Sequence, residues 1–182
     1  MKFSKTSIDG MYLLELEKRE DQRGFFARNF CINEFHEKGI DFTVVQSNMS
    51  YSEQKGTLRG LHYQSDCKEA KVVRCTRGVI FDVVIDLRPN SSTFLQYDLN
   101  ELSAFNHQEI FIPPGCAHGF LTLEAGSEIN YLVSAPYSPE LEKGLRYNDS
   151  ILKDVQWPIP IQMITEKDKN YPDYHTPYMY FQ

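Results

Sequence analysis

The chain from Phe42 to Tyr137 consists of short runs rich in apolar residues, separated by turn signals. Runs of this length that end at glycine, proline or asparagine are typical of β-strands. The turn signals are Lys55-Gly56, Arg77-Gly78, Arg88-Pro89-Asn90, Pro113-Pro114-Gly115 and Ala125-Gly126. The predicted strands cover residues 42–52, 58–64, 71–77, 79–87, 94–103, 109–114, 117–124 and 128–137.

The region before Phe42 predicts a mixture of elements. Asn33 is placed to cap the start of a short helix, and Gly39 is placed to end it. In chain order we predict a strand over residues 11–17, a loop over 19–24, an aromatic strand over 25–30 and the helix over 32–39.

Many short strands with a single helix among them favour an antiparallel β-sandwich or barrel. Residues 79–87 carry apolar side chains on both parities, so both faces of that strand should be covered. A chain of 182 residues fits one domain, residues 1–182. We expect the segment from about Pro139 to pack on the barrel, with a helical turn over residues 164–170.

Composition narrows the choice of partners. The 12 phenylalanines and 11 tyrosines favour strands. The net charge of −6 argues against nucleic-acid binding, which needs a basic face. A small anionic ligand remains compatible with that charge, because a few Arg and Lys side chains can converge in one pocket. The N-terminal residues contain no long apolar run, so we expect neither a signal peptide nor a membrane-spanning segment.

The four cysteines are Cys31, Cys67, Cys75 and Cys116, and no two form a C-x-x-C pair. This scatter predicts reduced thiols in a cytoplasmic protein rather than a disulfide framework or a zinc site.

Residues 55–71 concentrate groups that bind anions or move protons, namely Arg59, His62, Tyr63 and Lys71. An ordinary half-buried strand alternates apolar residues with inert polar ones. The alternative is an exposed edge strand with a solvated His62. A lone imidazole cannot supply the three or four ligands of a divalent metal, so we expect no metal. The sequence also lacks a G-x-S-x-G elbow, a Walker loop and a G-x-G-x-x-G fingerprint.

The remaining candidates are proton-transfer groups: His62, His118, Tyr131 and Tyr137. His118 lies in the rigid turn over residues 113–120, and the two tyrosines flank a Ser-Ala-Pro bend. Each also has a structural alternative, as a hydrogen-bonded histidine or as an aromatic wall.

Eight motifs resemble the dTDP-4-dehydrorhamnose 3,5-epimerase family, in the family's order and spacing, from about Arg23 to Asp168. Each motif alone is weak, and their joint order carries the resemblance. The motifs are Arg23-Gly24-Phe25-Phe26, Val45-Gln46-Ser47-Asn48, residues 58–64, Lys71-Val72-Val73-Arg74-Cys75, residues 82–88, residues 113–120, Tyr131 with Tyr137-Ser138-Pro139, and Glu166-Lys167-Asp168.

The resemblance implies a cupin-like jelly roll with one or two short helices and an isomerase that needs no cofactor. The implied reaction inverts C3 and C5 of a nucleotide-diphosphate 4-keto-6-deoxy sugar through an enolate. By the same resemblance, His62 is the base, Asp168 orients it, Tyr131 is the acid and Lys71 stabilises the enolate oxygen.

The resemblance also implies a set of binding residues and a homodimer. In the dimer, N-terminal strands join the partner's sheet, and Arg23 or Arg28 serves the neighbouring pocket. The implied contacts are Arg59 and His118 to sugar and diphosphate, Arg23, Arg28, Gln46 and Asn48 to the nucleotide side, Glu142 and Lys167 as further binding residues, and Phe26 and Tyr137 as walls.

Three positions depart from the family pattern: Arg28, where many members have Glu; Cys116, where a bulkier residue is common; and Tyr147, which replaces a tryptophan. The Arg28 departure leaves the nucleotide open. Four alternatives stay open. Two keep the epimerase activity: single inversion at C3 or C5, and a CDP- or GDP-linked substrate. The other two are a non-catalytic sugar-nucleotide binding module and a metal-dependent cupin oxygenase.

Overall fold

The computed structural model describes residues 1–66 and 68–174, which form two antiparallel sheets that face each other. Strands are numbered in chain order. The first sheet has six strands, in the spatial order β1 (Lys2–Lys5), β2 (Tyr12–Glu15), β10 (Gln108–Ile112), β7 (Lys71–Arg77), β12 (Ser127–Val133) and β5 (Gln46–Ser52).

The second sheet has five strands, and a short hairpin lies apart from both sheets. The five strands are, in spatial order, β13 (Glu142–Gly144), β6 (Leu58–Gln64), β11 (Cys116–Thr122), β8 (Val79–Asp86) and β9 (Tyr97–Ser103). The hairpin pairs β3 (Arg19–Asp21) with β4 (Gly24–Phe26). The helices are α1 (Ile32–Glu37), a 3₁₀ helix (Ser150–Leu152) and α2 (Glu166–Lys169).

This architecture confirms the predicted all-β, jelly-roll class with short helices. In the described part of the chain, no helix is long and apolar enough to cross a membrane. Cys31 and Cys75 are free thiols, Cys116 is buried in β11, and Cys67 lies outside the described residues.

Several predicted boundaries before β5 are wrong. The aromatic strand ends at Phe26, and the residues predicted as a loop form β3 and the turn into β4. Cys31, not Asn33, is the N-cap of α1, because the helix already begins at Ile32. Gly39 follows the helix with a φ of +74°, as its predicted role requires.

Three apolar clusters make up the core. The first lies between the two sheets and includes Val73, Ile129, Val84 and Phe120. The second covers the outer face of the five-stranded sheet, where the C-terminal segment contributes residues such as Leu152. The third covers the outer face of the six-stranded sheet under α1. Part of the space between the two sheets is therefore filled by a packed apolar core.

Strand β8 shows why the sequence pattern worked in this region. Ile80 and Val84 belong to the cluster between the sheets, and Val83 and Ile85 belong to the outer cluster. Both faces are covered, as the apolar residues on both parities predicted. Asp82 shares the parity of Ile80 and Val84, so its carboxylate faces the space between the sheets.

Strands β6 and β11 approach closely at two glycines, and the pairing register shifts there between His118 and Phe120. A Cβ on Gly60 would lie 2.7 Å from the carbonyl oxygen of His118, and Gly60 has a φ of +97°. A Cβ on Gly119 would lie 2.8 Å from the carbonyl oxygen of Arg59. This close contact sets His62 directly opposite His118 in the sheet.

We predict that Gly60→Ala lowers the free energy of unfolding by more than about 3 kcal/mol, because the methyl group meets backbone atoms that cannot move aside. Gly39→Ala is the matched control: its φ is +74°, but nothing lies within 4 Å of the added Cβ. That variant should lose only about 1–2 kcal/mol, the strain of the left-handed conformation. Urea unfolding measures both values, and equal losses would contradict the close-contact argument.

Candidate active site

A cavity of about 420 Å³ opens between the two sheets, and side chains from both sheets line it. The lining brings together all four predicted catalytic residues and six of the predicted binding residues. They are His62, Lys71, Tyr131 and Asp168, with Asn48, Arg59, His118, Tyr137, Glu142 and Lys167.

His62 and Asp168 form the best-defined pair in the cavity. His62 lies on β6, and its Nε2 is 2.8 Å from Oδ1 of Asp168 on α2. The amide of Gly60 donates to Oδ2 of the same carboxylate at 3.2 Å. Thr165, the N-cap of α2, accepts from the amide of Asp168. The carboxylate is therefore fixed both by the strand that carries the imidazole and by the start of its own helix.

The electrostatics of Asp168 keep it ionised. Burial alone would raise its pKa, since only 5% of the side chain is exposed. The hydrogen bond and the charge of His62, the Gly60 amide and Thr165 outweigh that effect, and the pKa of Asp168 is lowered from 3.8. A carboxylate at Nε2 favours the tautomer with its proton there, which leaves Nδ1 as the ring nitrogen with a basic lone pair.

His118 forms a second, deeper pair with a residue that the sequence analysis did not single out. Its Nε2 lies 2.6 Å from Oδ2 of Asp82, and both side chains are buried. Burial raises the pKa of Asp82, and the nearby His118 opposes that rise. A single carboxylate inside an otherwise apolar strand was the available signal, because a buried charge requires a partner.

Tyr131 lies on β12 of the opposite sheet, with its ring edge-on to that of His118 at 6.2 Å between centroids. Burial raises its pKa, the negative charge of Asp82 raises it further, and Arg59 opposes both. The phenol therefore holds its proton firmly at neutral pH. It can donate a proton to a strong base but does not ionise on its own.

Lys71 lies on β7 opposite Val133, two residues along β12 from Tyr131, and its ammonium is 3.0 Å from the carboxylate of Glu69. Only 13% and 11% of the two side chains are exposed. Glu69 also lines the cavity and was missed. Its spacing of two residues before Lys71 resembles many surface pairs, so the sequence carried no signal for its burial.

The mouth of the cavity carries a chain of hydrogen bonds. The hydroxyl of Tyr137 donates to Glu142 at 2.6 Å, and Lys167 contacts the same oxygen at 2.5 Å. Burial raises the pKa of Glu142, but the bonds from Lys167 and Tyr137 outweigh it and the pKa is lowered. Gln46 accepts from the amide of Tyr137 at 3.1 Å and donates to Asn48 at 2.8 Å. Gln46 therefore supports two lining residues from just outside the cavity.

Arg59 spans the gap between the sheets. It lies on β6, and its guanidinium donates to the Ser52 hydroxyl at 3.1 Å and to the Tyr51 carbonyl at 2.9 Å, both on β5. These bonds fix a permanent positive charge at the cavity wall.

Besides Gln46, three further predicted binding residues do not line this cavity. Arg23 bonds to Asp21 within the β3–β4 hairpin, and Phe26 is 72% exposed. Arg28 pairs with Glu34 of α1 at 2.7 Å. Arg23 and Phe26 lie on a hairpin that joins neither sheet, Arg28 lies just beyond it, and none of the three lines the cavity of its own chain.

The geometry suits proton transfer on either side of a flat ligand. An imidazole held by a carboxylate comes from the five-stranded sheet, and a protonated phenol and an ammonium come from the six-stranded sheet. Among the described residues, no three His, Cys, Asp or Glu side chains converge as metal ligands. The two buried carboxylates nearest the imidazoles each hold a histidine instead.

Comparison with known proteins finds relatives over nearly the whole chain. The family model for dTDP-4-dehydrorhamnose 3,5-epimerase matches residues 5–176. The dTDP-4-dehydrorhamnose 3,5-epimerase of Methanothermobacter thermautotrophicus is 41% identical over 173 residues, which are 93% of this chain and 92% of that protein.

Two solved structures are also similar. The dTDP-4-dehydrorhamnose 3,5-epimerase of Elizabethkingia anophelis aligns with a TM-score of 0.91 and 39% identity, over 96% of each chain. The dTDP-6-deoxy-D-glucose-3,5-epimerase of Legionella pneumophila, in complex with dTDP-4-keto-L-rhamnose, aligns with a TM-score of 0.85 and 37% identity, over 96% of this chain and 99% of that one.

The lowered pKa of Asp168 predicts a pH-dependent contribution to stability. Asp168→Asn should lower the free energy of unfolding by about 1–3 kcal/mol at pH 7, because charged hydrogen bonds are lost. The extra stability of the wild type over the variant should be fully present above pH 3.8, the pKa of Asp168 in the unfolded chain. It should disappear as the pH falls through the lower pKa of Asp168 in the folded protein. Urea unfolding of both proteins at pH 7, 5, 3.5 and 2.5 measures this. A difference that stays constant below pH 4 would contradict an ionised Asp168.

Proposed function

The chain belongs to the dTDP-4-dehydrorhamnose 3,5-epimerase family, and we propose that it inverts C3 and C5 of dTDP-4-dehydro-6-deoxy-D-glucose to give dTDP-4-dehydro-L-rhamnose. The observation that carries the proposal is one cavity holding a carboxylate-bound imidazole on one sheet and a protonated phenol with an ammonium on the other.

The chemistry requires these groups. C3 and C5 are both α to the C4 ketone, so removal of either hydrogen gives an enolate with its negative charge on the C4 oxygen. Inversion follows when the new proton arrives from the opposite face of the ring. The site must therefore offer a base on one face, an acid on the other and a positive charge or hydrogen-bond donor at the C4 oxygen.

His62 is the proposed base. With its Nε2 proton directed to Asp168, Nδ1 accepts the proton from carbon. The imidazolium that forms is stabilised by the ionised carboxylate 2.8 Å away. Asp168 is a positioning residue in this scheme: it sets the tautomer and balances the charge, and it does not itself remove the proton.

Tyr131 is the proposed acid, and its environment supports that role. It stands on the sheet opposite His62, so the two groups flank a ligand held between the sheets. Burial and the charge of Asp82 keep its phenol protonated until a basic carbanion is present. His118 lies between Asp82 and Tyr131, since its Nε2 bonds to Asp82 and its ring packs edge-on to that of Tyr131.

Lys71 is the proposed donor to the C4 oxygen. A donor placed at a developing oxyanion lowers the barrier by about 2.7–4 kcal/mol, and an ammonium in a buried cavity can act as such a donor. Glu69 holds the ammonium at the wall before substrate arrives. Because an ammonium has three hydrogens, it can bond to Glu69 and to the enolate oxygen together.

The remaining charges suit a nucleotide diphosphate. Arg59 and Lys167 offer positive charge on two sides of the cavity, and Asn48 and Gln46 offer amides at its edge. Tyr137 supplies an aromatic wall at the mouth. The related Legionella protein was crystallised with dTDP-4-keto-L-rhamnose, which supports a dTDP-linked sugar here.

We further propose a cytoplasmic homodimer in which the β3–β4 hairpin of one subunit serves the cavity of the other. Arg23 and Phe26 are exposed and do not reach the cavity of their own chain. An isolated two-stranded hairpin is only marginally stable in water, and it gains stability when a second surface covers its exposed aromatic ring. Edge strand β5, with Met49 and Tyr51 exposed, is a surface of that kind.

His62→Asn should abolish inversion and reduce exchange of the C3 and C5 hydrogens with deuterium oxide by at least about 10²-fold, because no base remains. Proton NMR of the recovered sugar measures both. Tyr131→Phe should keep exchange but lose inversion, since the deuteron then returns from the same face. Far-UV circular dichroism and urea unfolding show whether each variant is folded.

The same spectra distinguish the alternatives. Deuterium at one carbon only indicates single epimerisation, and turnover of CDP- or GDP-linked 4-keto sugars indicates another nucleotide. A folded wild-type protein that binds dTDP-sugar and exchanges neither hydrogen is a binding module, and the proposal is then wrong.

The dimer proposal predicts recovery of activity between two inactive proteins. His62→Asn has an inactive cavity and an intact hairpin. Arg23→Ala/Phe26→Ala has an intact cavity and an altered hairpin. Random reassembly of equal amounts should restore about a quarter of the wild-type activity, because half of the dimers are mixed and each has one intact site. A monomer by sedimentation, or no gain on mixing, would rule out a shared site.

A further inference from the structure

The imidazole of His62 has a second neighbour that the reaction scheme does not use. The ring of Tyr171 lies edge-on to it, with 6.0 Å between ring centroids and 73° between ring planes. Tyr171 follows α2 by two residues and does not line the cavity. Asp168 therefore holds one edge of the imidazole while Tyr171 packs against the ring from outside the cavity.

The neighbouring strand is shaped to admit this ring. Gly144 on β13 pairs with His62 on β6. A Cβ on Gly144 would lie 2.2 Å from Cε2 of Tyr171 and 2.5 Å from its Cζ. No side chain larger than hydrogen fits there while the tyrosine ring is in place. Gly144 and Tyr171 therefore form one packing unit beside His62.

The segment that carries Tyr171 is anchored on both sides. Before it, the side chain of Asn170 bonds to the carbonyl of Glu166 at 2.7 Å. After it, Arg146 forms an ion pair with Asp173, and the amide of Tyr174 donates to Asp149 at 2.7 Å. These bonds join the segment to the region just after β13, so the ring of Tyr171 has a fixed support.

We propose that Tyr171 is a positioning residue for His62, and that Gly144 is present to give its ring room. The inference rests on the proposed function of His62 as the base. One hydrogen bond to Asp168 leaves the imidazole able to swing about its Cβ–Cγ bond and its Cα–Cβ bond. The ring of Tyr171 blocks that motion on one side, so Nδ1 stays directed at the substrate carbon.

The ring of Tyr171, not its hydroxyl, carries this role. Burial raises the pKa of Tyr171, and the charge of Lys167 opposes the rise, so the phenol is neutral at pH 7. The contact with His62 and the overlap with Gly144 both involve ring atoms. A phenylalanine at this position keeps those contacts.

The test is a double-mutant cycle on kcat and KM for epimerisation. Tyr171→Ala should lower kcat by about 10–100-fold with KM changed by less than about threefold, because misdirected reacting groups slow the chemical step rather than binding. Gly144→Ala should displace the ring and produce a similar loss. Adding Gly144→Ala to Tyr171→Ala should cause little further loss, since the space is then empty. Tyr171→Phe should recover most of the kcat that the alanine variant loses.

A second readout does not depend on activity. The carbon-bound ring protons of His62, assigned by comparison with His62→Asn, should shift in the NMR spectra of Tyr171→Ala and Gly144→Ala and return toward the wild-type positions in Tyr171→Phe. Tyr97→Ala is the control for general loss of stability, since Tyr97, on β9, packs against the apolar cluster on the outer face of the five-stranded sheet. It should lower the unfolding midpoint while leaving the His62 resonances in place.

The outcomes separate this inference from the function it rests on. A wild-type protein without epimerase activity overturns the function, and the NMR shifts still report whether Tyr171 orients His62. An active wild type with Tyr171→Ala at full kcat overturns the inference alone. So do fully additive losses in the cycle, or a Tyr171→Phe variant as slow as Tyr171→Ala.

Discussion

The hydrogen bond between His62 and Asp168 is the interaction on which the rest of the site depends. It joins β6 to a four-residue helix that lies 106 residues later in the chain. A buried carboxylate is expensive unless its hydrogen bonds are satisfied, and this one is satisfied by His62, by the Gly60 amide and by the cap of its own helix. The C-terminal segment must therefore fold back on the barrel before His62 and Asp168 can pair. The bonds of Asp173 to Arg146 and of Tyr174 to Asp149 hold this segment on the barrel.

The β-sandwich meets a second requirement of the site, which is that functional groups face each other from opposite sides of the cavity. Because the cavity lies between two sheets, residues of β6 and β12 approach a ligand from opposite sides without any special loop. The phenol of Tyr131 stays protonated mainly because it is buried, and the negative charge of Asp82, held by His118, raises its pKa further. The two histidine–carboxylate pairs thus serve different ends. In the proposed mechanism, the pair of His62 and Asp168 supplies the base, and the pair of His118 and Asp82 lies behind the acid, Tyr131.

Much of this could be predicted from sequence because the informative patterns are local. The parity of apolar residues in β8 fixed its two covered faces, and the motifs around His62 and His118 placed both imidazoles on strands. Strands β1 and β13 were missed because Lys2–Lys5 and Glu142–Gly144 carry almost no apolar pattern and exist only through pairing with a neighbour. Glu69, Asp82 and Tyr171 were missed for a related reason. What each of them does depends on a partner in another element, and no spacing along the chain encodes that contact.

The central claim is that a hexose ring lies between His62 and Tyr131 with its C4 oxygen at Lys71. A crystal structure with dTDP-glucose, which has no ketone and cannot react, tests this most directly. The account predicts the imidazole and the phenol on opposite faces of the ring, with C3 and C5 about 3–3.5 Å from them and the C4 oxygen within hydrogen-bond distance, about 3 Å, of the Lys71 ammonium. A sugar bound outside the cavity, or one with both groups on the same face, would contradict it.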